Sequence, residues 1–133
     1  MHLYKFSSAQ KNAFLSLALK LIVADDKLRA AEVAHLESIC REMGIDRGVA
    51  QPDRPVDELL AVFDTRAARV WLMLEILGVG YVDQHFSHEE AALINEIVER
   101  FQFGEGEIGT MKNIVLRGKG LEIETERLIG QET

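Results

Sequence analysis

Apolar residues recur at three- and four-residue spacing along most of the chain, which is the pattern of helices that each bury one face. The segment of residues 65–80 is apolar nearly all round, which predicts a place in the middle of a helical bundle. No segment alternates apolar and polar residues in the manner of a strand. The predicted helices cover about residues 8–24, 30–43, 55–63, 65–80, 87–101, 107–118 and 121–129.

Residues that favour turns mark the ends of these helices. Gly44 stands where a left-handed helix cap belongs, and Gly104 is placed to end the fifth helix. Residues 46–55 contain both prolines and are predicted to form a loop. Ser87 followed by Glu90 has the spacing of a capping box. Two glycines within residues 118–120 predict a break between the last two helices.

The chain contains an internal repeat. Residues 13–45 align without gaps on residues 71–103, at a constant offset of 58. Each copy consists of an apolar helix, an acidic turn and a second, amphipathic helix. The identical positions are Leu19 and Leu77, Asp25 and Asp83, Glu32 and Glu90, Ala34 and Ala92, and Ile39 and Ile97.

The predicted fold is an all-α, single-domain bundle of six or seven helices with a pseudo-two-fold repeat of helical hairpins. A length of 133 residues suits one domain, and one hairpin alone cannot close a core. Within residues 1–133, the first repeat covers about 10–45, the connecting helix about 55–63, the second repeat about 65–103 and the C-terminal helices about 107–129.

Composition and charge exclude several classes of partner. A net charge of −7 disfavours binding to nucleic acid and to anionic lipid. The most apolar stretch, residues 70–82, contains Glu75 and is too short to span a membrane. Cys40 is the only cysteine, so no intrachain disulfide can form. With no apolar N-terminal run, these features lead us to expect a cytoplasmic protein.

The carboxylates at the two acidic turns are the residues that best indicate a function. Hard cations such as Ca²⁺ and Mg²⁺ prefer several oxygen ligands, which carboxylates supply. A second interpretation is structural, because the aspartates can accept turn amides while Glu32 and Glu90 cap helices. The candidate ligands are Asp25, Asp26 and Glu32 at the first turn and Asp83, Glu89 and Glu90 at the second.

Residues 22–32 and 81–90 resemble the repeated "A-D-G-x-apolar-S-x-E-E" element of the tellurite-resistance TerB-like superfamily. The resemblance covers roughly residues 10–118. It implies an all-helical protein with a pseudo-two-fold repeat and a stress-response setting. It also implies metal sites at the acidic turns, with Asp25, Glu32, Asp83 and Glu90 as ligands. This chain has Asp26 and Gln84 in place of the glycines and Arg29 in place of the first serine; the positive charge of Arg29 weakens cation binding at the first turn.

From these observations we predict a non-enzymatic TerB-like module that binds a protein partner, with a divalent cation at the acidic turns tuning that binding. The protein is also a candidate to form a homodimer. The competing hypothesis is a metal-dependent hydrolase that uses Asp83, His85 and His88, provided that these side chains converge.

Cys40 lies on the apolar face of its helix, which favours a core residue over a nucleophile. Glu75 is expected either to pair with Lys20 or Arg66 or to point outward beside the third helix.

Overall fold

The computed structural model describes residues 6–24, 30–80 and 88–131 of the chain. These residues contain no strand, so the predicted all-α class is confirmed. The helices are α1 (Ser8–Val23), α2 (Ala30–Met43), a 3-10 turn (Arg47–Val49), α3 (Val56–Leu60), α4 (Arg66–Gly80), α5 (His88–Phe101) and α6 (Glu105–Gln131).

Helices α1 and α4 form the centre of the bundle. Helix α1 packs on α2, α3, α4 and α5, and α4 also contacts α2, α5 and α6. Phe14 and Leu17 of α1 and Leu72 of α4 are fully buried, because both helices are covered on most sides. The position of α4 therefore agrees with its nearly continuous apolar sequence. None of the described helices has the length and hydropathy that a membrane crossing requires.

Polar residues at the start of α1 fix where the helix begins. The Ser7 hydroxyl accepts a hydrogen bond from the Gln10 amide (3.2 Å), and the Gln10 side chain accepts one from the Ser7 amide (3.0 Å). This reciprocal capping box satisfies two amides that the helix leaves without partners. It lies at the surface, whereas the preceding Phe6 packs edge-on against Phe63 in the core (5.5 Å between ring centroids).

Helices α2 and α5 have the same length and the same C-terminal cap. Their bounds, Ala30–Met43 and His88–Phe101, differ by 58 residues at both ends. The residue after each helix is left-handed: Gly44 has φ of 69° and Gln102 has φ of 60°. The Ile45 amide then donates to the Cys40 carbonyl (3.1 Å), and the Phe103 amide donates to the Val98 carbonyl (3.2 Å). Each is a Schellman cap at the offset of the sequence repeat.

The C-terminal cap of α5 and both ends of α3 differ from the sequence prediction. Gly44 is the left-handed residue that the sequence predicts, but the equivalent residue after α5 is Gln102 rather than Gly104. Phe103, which follows Gln102, is buried, and anchoring this ring in the core sets the turn. Helix α3 is shorter than the predicted 55–63, because Pro55 precedes it as the N-cap and Ala61 ends it.

The prediction of two C-terminal helices within 107–129 is wrong. Helix α6 is continuous over 27 residues from Glu105 to Gln131. A glycine in a helix interior costs about 1 kcal/mol relative to alanine, which weakens a helix without ending it. Gly118 and Gly120 therefore lie inside α6. The leucine, glutamate and arginine residues that follow favour helix and carry it onward.

Candidate functional site

The predicted cation ligands divide between described and undescribed parts of the chain. Asp25, Asp26, Asp83 and His85 lie outside the described residues, as do Arg29, Gln84 and Ser87. Glu32 lies in the first turn of α2, and Glu89, Glu90 and His88 lie in the first turn of α5. The structure therefore places the glutamates of the proposed sites and leaves the aspartates as predictions.

Glu32 and Glu90 are both buried. Their exposed fractions are only 2% and 1%, and each is the third residue of its helix. Leu36 and Ile39 follow Glu32 on the buried face of α2, just as Ile94 and Ile97 follow Glu90 on α5. The fold thus turns the two equivalent glutamates toward the interior of the bundle.

Because they are buried, the carboxylates of Glu32 and Glu90 need polar partners. An ionised carboxylate taken out of water loses several kcal/mol of hydration, which hydrogen-bond donors or positive charges must offset. Neither Glu32 nor Glu90 is without an interaction partner. The positive end of the helix dipole, at the first turn of α2 and α5, adds a further favourable term.

Glu89 and His88 occupy a different environment from Glu90. Both are exposed, whereas Glu90 is almost completely buried. Successive residues of a helix point about 100° apart, which separates neighbouring side chains in this way. In the described ranges, no three histidine, cysteine, aspartate or glutamate side chains come together as a set of metal ligands.

Glu75 is a third buried carboxylate. It lies in the middle of α4 with 5% exposure, and it too has a polar or electrostatic interaction. Its burial excludes the alternative that it points outward. Arg66, one of its two expected partners, forms an ion pair with Glu107 of α6. In the repeat, Glu75 corresponds to Leu17 of α1, which is also fully buried.

Cys40 packs as an apolar residue on the buried face of α2. Its exposed fraction is 7%, and this burial raises the pKa of the thiol, with Arg47 acting in the opposite direction. Since the thiolate is the nucleophilic form, burial makes Cys40 a poor nucleophile at neutral pH. This environment fits the core role that its position on the apolar face predicts.

A cleft that no sequence pattern predicts lies between α1 and the segment that follows α2. The cleft has a volume of about 230 Å³ and is lined by Asn12 and Ser16 on one side and Gln51 and Arg54 on the other. The Ser16 hydroxyl donates to the Asn12 carbonyl (2.9 Å) and accepts from the Gln51 amide (2.8 Å). The Ser16 hydroxyl thus fastens the loop to α1 at the cleft, and no local sequence signal predicts that contact.

The chain was compared with protein-family models, with curated proteins and with solved structures. None of the three comparisons produced a match.

Proposed function

We propose that this protein is a non-enzymatic, TerB-like cytoplasmic module that binds a protein partner and holds a divalent cation, Ca²⁺ or Mg²⁺, at its acidic turns. The observation that supports the cation most directly is the burial of Glu32 and Glu90, at equivalent positions of the two hairpins. Both follow an aspartate by seven residues, at the turn where the two helices of a hairpin are joined.

A comparison within the molecule favours this proposal over simple helix capping. Helix α1 is capped by Ser7 and Gln10, which are uncharged and lie at the surface. Capping a helix in this bundle therefore does not require a buried carboxylate. Helices α2 and α5 both bury one, against the hydration cost of an anion. A positive ion at each turn gives a reason for this recurring negative charge.

A cation at these turns would act on the shape of the module. Each turn joins two helices of one hairpin, and the hairpins pack through the central α1–α4 pair. Carboxylates from a turn and from the following helix, when held by one ion, fix the angle between the two helices. The outer faces of those helices are the surface that a protein partner would contact. The alternative hydrolase needs Asp83 and His85 to converge with His88, and His88 is exposed.

Thermal unfolding with added cation tests this proposal. We expect millimolar CaCl₂ or MgCl₂ to raise the melting temperature more than NaCl at equal ionic strength. Binding to the folded state alone stabilises by about 2.7 kcal/mol at a hundredfold excess over the dissociation constant. Glu90→Gln should remove more of this rise than Glu32→Gln, because Arg29 already weakens the first turn. Each variant is compared with its own melting temperature in NaCl.

Glu99→Gln is the matched control. It removes one negative charge from the same helix as Glu90, but Glu99 is exposed. The control should keep the full response to the cation, whereas the double variant Glu32→Gln, Glu90→Gln should lose it. Equal shifts in CaCl₂, MgCl₂ and NaCl would refute the cation site and assign both glutamates to the structural role alone.

A further inference from the structure

The second half of α6 lies outside the packed body of the protein. Ile108, Met111 and Val115 in the first half pack on the core, where α6 contacts α4. From Leu116 onward, every residue of α6 whose side chain is described is exposed. At 1.5 Å per residue, this part of the helix is about 24 Å long.

This exposed half of α6 is a poor helix on its own. The exposed half has 16 residues, only slightly more than the roughly 12–15 below which isolated helices are marginal in water even when they are rich in alanine. Gly118, Gly120 and Gly130 each lower helix stability by about 1 kcal/mol relative to alanine. A helix of this composition gains stability chiefly by packing against another surface.

The part of α6 from Ile114 onward also carries exposed apolar side chains, some of which share one side of the helix. Four of the six large apolar side chains that are exposed in the described residues belong to α6: Ile114, Leu116, Leu128 and Ile129. Ile114 and Leu128 are 43% and 61% exposed, and they are separated by two heptads with Leu121 at the midpoint. A seven-residue repeat keeps these positions on one side of the helix, as in helices that pair along their length.

The charges of the segment indicate what covers this surface. Basic residues precede Leu121 (Lys112, Arg117 and Lys119), and three glutamates follow it (Glu122, Glu124 and Glu126), with Arg127 the one exception. Two copies side by side in parallel would place like charges together. Two antiparallel copies related by a two-fold axis at Leu121 would bring Arg117 of each near Glu124 of the other.

We propose that the protein forms a homodimer through antiparallel pairing of residues 114–128 of two α6 helices. Ile114 of one copy then meets Leu128 of the other, and Leu121 lies at the axis. Residues 112–131 carry four basic and three acidic residues, although the whole chain has a net charge of −7. The segment is therefore close to neutral, and the general repulsion between two acidic copies is weak along it. The inference does not depend on cation binding, since it involves none of the carboxylates at the turns.

Sedimentation velocity over a range of concentrations tests the dimer. The unmodified protein should pass from monomer to dimer as its concentration rises. Leu128→Glu should raise the dissociation constant about tenfold or more, since it places a charge in the apolar contact. Leu116→Glu is the matched control, because Leu116 is also exposed on α6 but lies about 200° around the helix from Ile114. It should leave the dissociation constant unchanged.

Charge reversal tests the antiparallel arrangement. Arg117→Glu and Glu124→Arg should each raise the dissociation constant about tenfold, and the double variant should recover most of the loss. Circular dichroism and thermal melts check that every variant is folded. A protein that stays monomeric at all concentrations would overturn the proposal. An equal loss in Leu116→Glu, or no recovery in the double variant, would also overturn it and would indicate a different partner or surface.

Discussion

The left-handed residues that follow α2 and α5 allow a prediction about stability, because replacing glycine at one and introducing glycine at the other should have opposite effects. Gly44 and Gln102 occupy equivalent positions with φ of 69° and 60°, but only one of them is a glycine. We expect Gly44→Ala to lower the free energy of unfolding and Gln102→Gly to raise it. The reason is that L-residues with a Cβ atom are strained in the left-handed region, whereas glycine is not.

The structure allows the magnitude to be worked out from the backbone alone. A Cβ atom added to Gly44 would have no neighbour within 4 Å, so alanine introduces no steric clash. The Gln102 side chain is exposed, so its removal empties no part of the core. The left-handed conformation costs about 1–2 kcal/mol, and the greater freedom of glycine in the unfolded chain offsets about 0.4–1 kcal/mol. Each exchange should therefore change stability by about 1 kcal/mol.

Urea denaturation followed by circular dichroism measures both changes. The midpoints should move in opposite directions with the slope unchanged, and the double variant should lie near the unmodified protein, since distant sites add. Gly109→Ala is the control, because Gly109 lies inside α6, is exposed and also has open space at Cβ. It should stabilise by about 1 kcal/mol. A gain in stability for Gly44→Ala, or a loss for Gln102→Gly, would refute the assignment of left-handed strain.

Two further predictions concern the loop contact of α1 and the start of α6. Ser16→Ala should lower the free energy of unfolding by about 1–2 kcal/mol and speed hydrogen exchange at the Gln51 amide, which loses its acceptor; the exposed Ser38→Ala should change stability by under about 0.5 kcal/mol. The hydrogen bond from the Gly104 amide, followed by the Arg66 side chain, lowers the pKa of Glu107 from its usual value of 4.5. Because its folded-state pKa is lowered, ionised Glu107 stabilises the folded protein at pH values above 4.5. This stabilisation is lost as the pH falls through the folded-state pKa. Melting temperatures measured against pH should therefore show a weaker acid dependence in Glu107→Gln.

Apolar periodicity was sufficient to predict most of the helices. The predicted bounds of α2 agree with those observed, and α1, α4 and α5 differ from theirs by one residue at an end. These helices are long and bury a continuous stripe, so the local pattern and the tertiary packing favour the same structure. The bounds and C-terminal caps of α2 and α5 match at the offset of the sequence repeat, and the pseudo-two-fold repeat itself stays a prediction. Superposition of the two complete hairpins stays a prediction, because their turns lie outside the described residues.

Features that depend on packing were not predictable in the same way. Glutamine gives no local signal for a left-handed residue, and Gln102 adopts that conformation next to the buried Phe103. The glycines at 118 and 120 indicate a break on propensity alone, but α6 continues through them. Likewise, a glutamate counts as polar in any amphipathic pattern, so the burial of Glu32 and Glu90 follows only from the way the helices pack.

The pairing of α1 with α4 has a consequence for synthesis of the chain on the ribosome. Eight of the sixteen residues of α1 are buried in the finished protein, and α4 is one of the helices that cover them. Helix α4 begins 58 residues after α1, which corresponds to roughly 3–12 s at a translation rate of about 5–20 residues per second. During that interval α2 and α3 are synthesised and can cover part of α1, but the face that α4 covers stays unburied. This apolar face of α1 is therefore a surface that a chaperone can bind while translation is still under way.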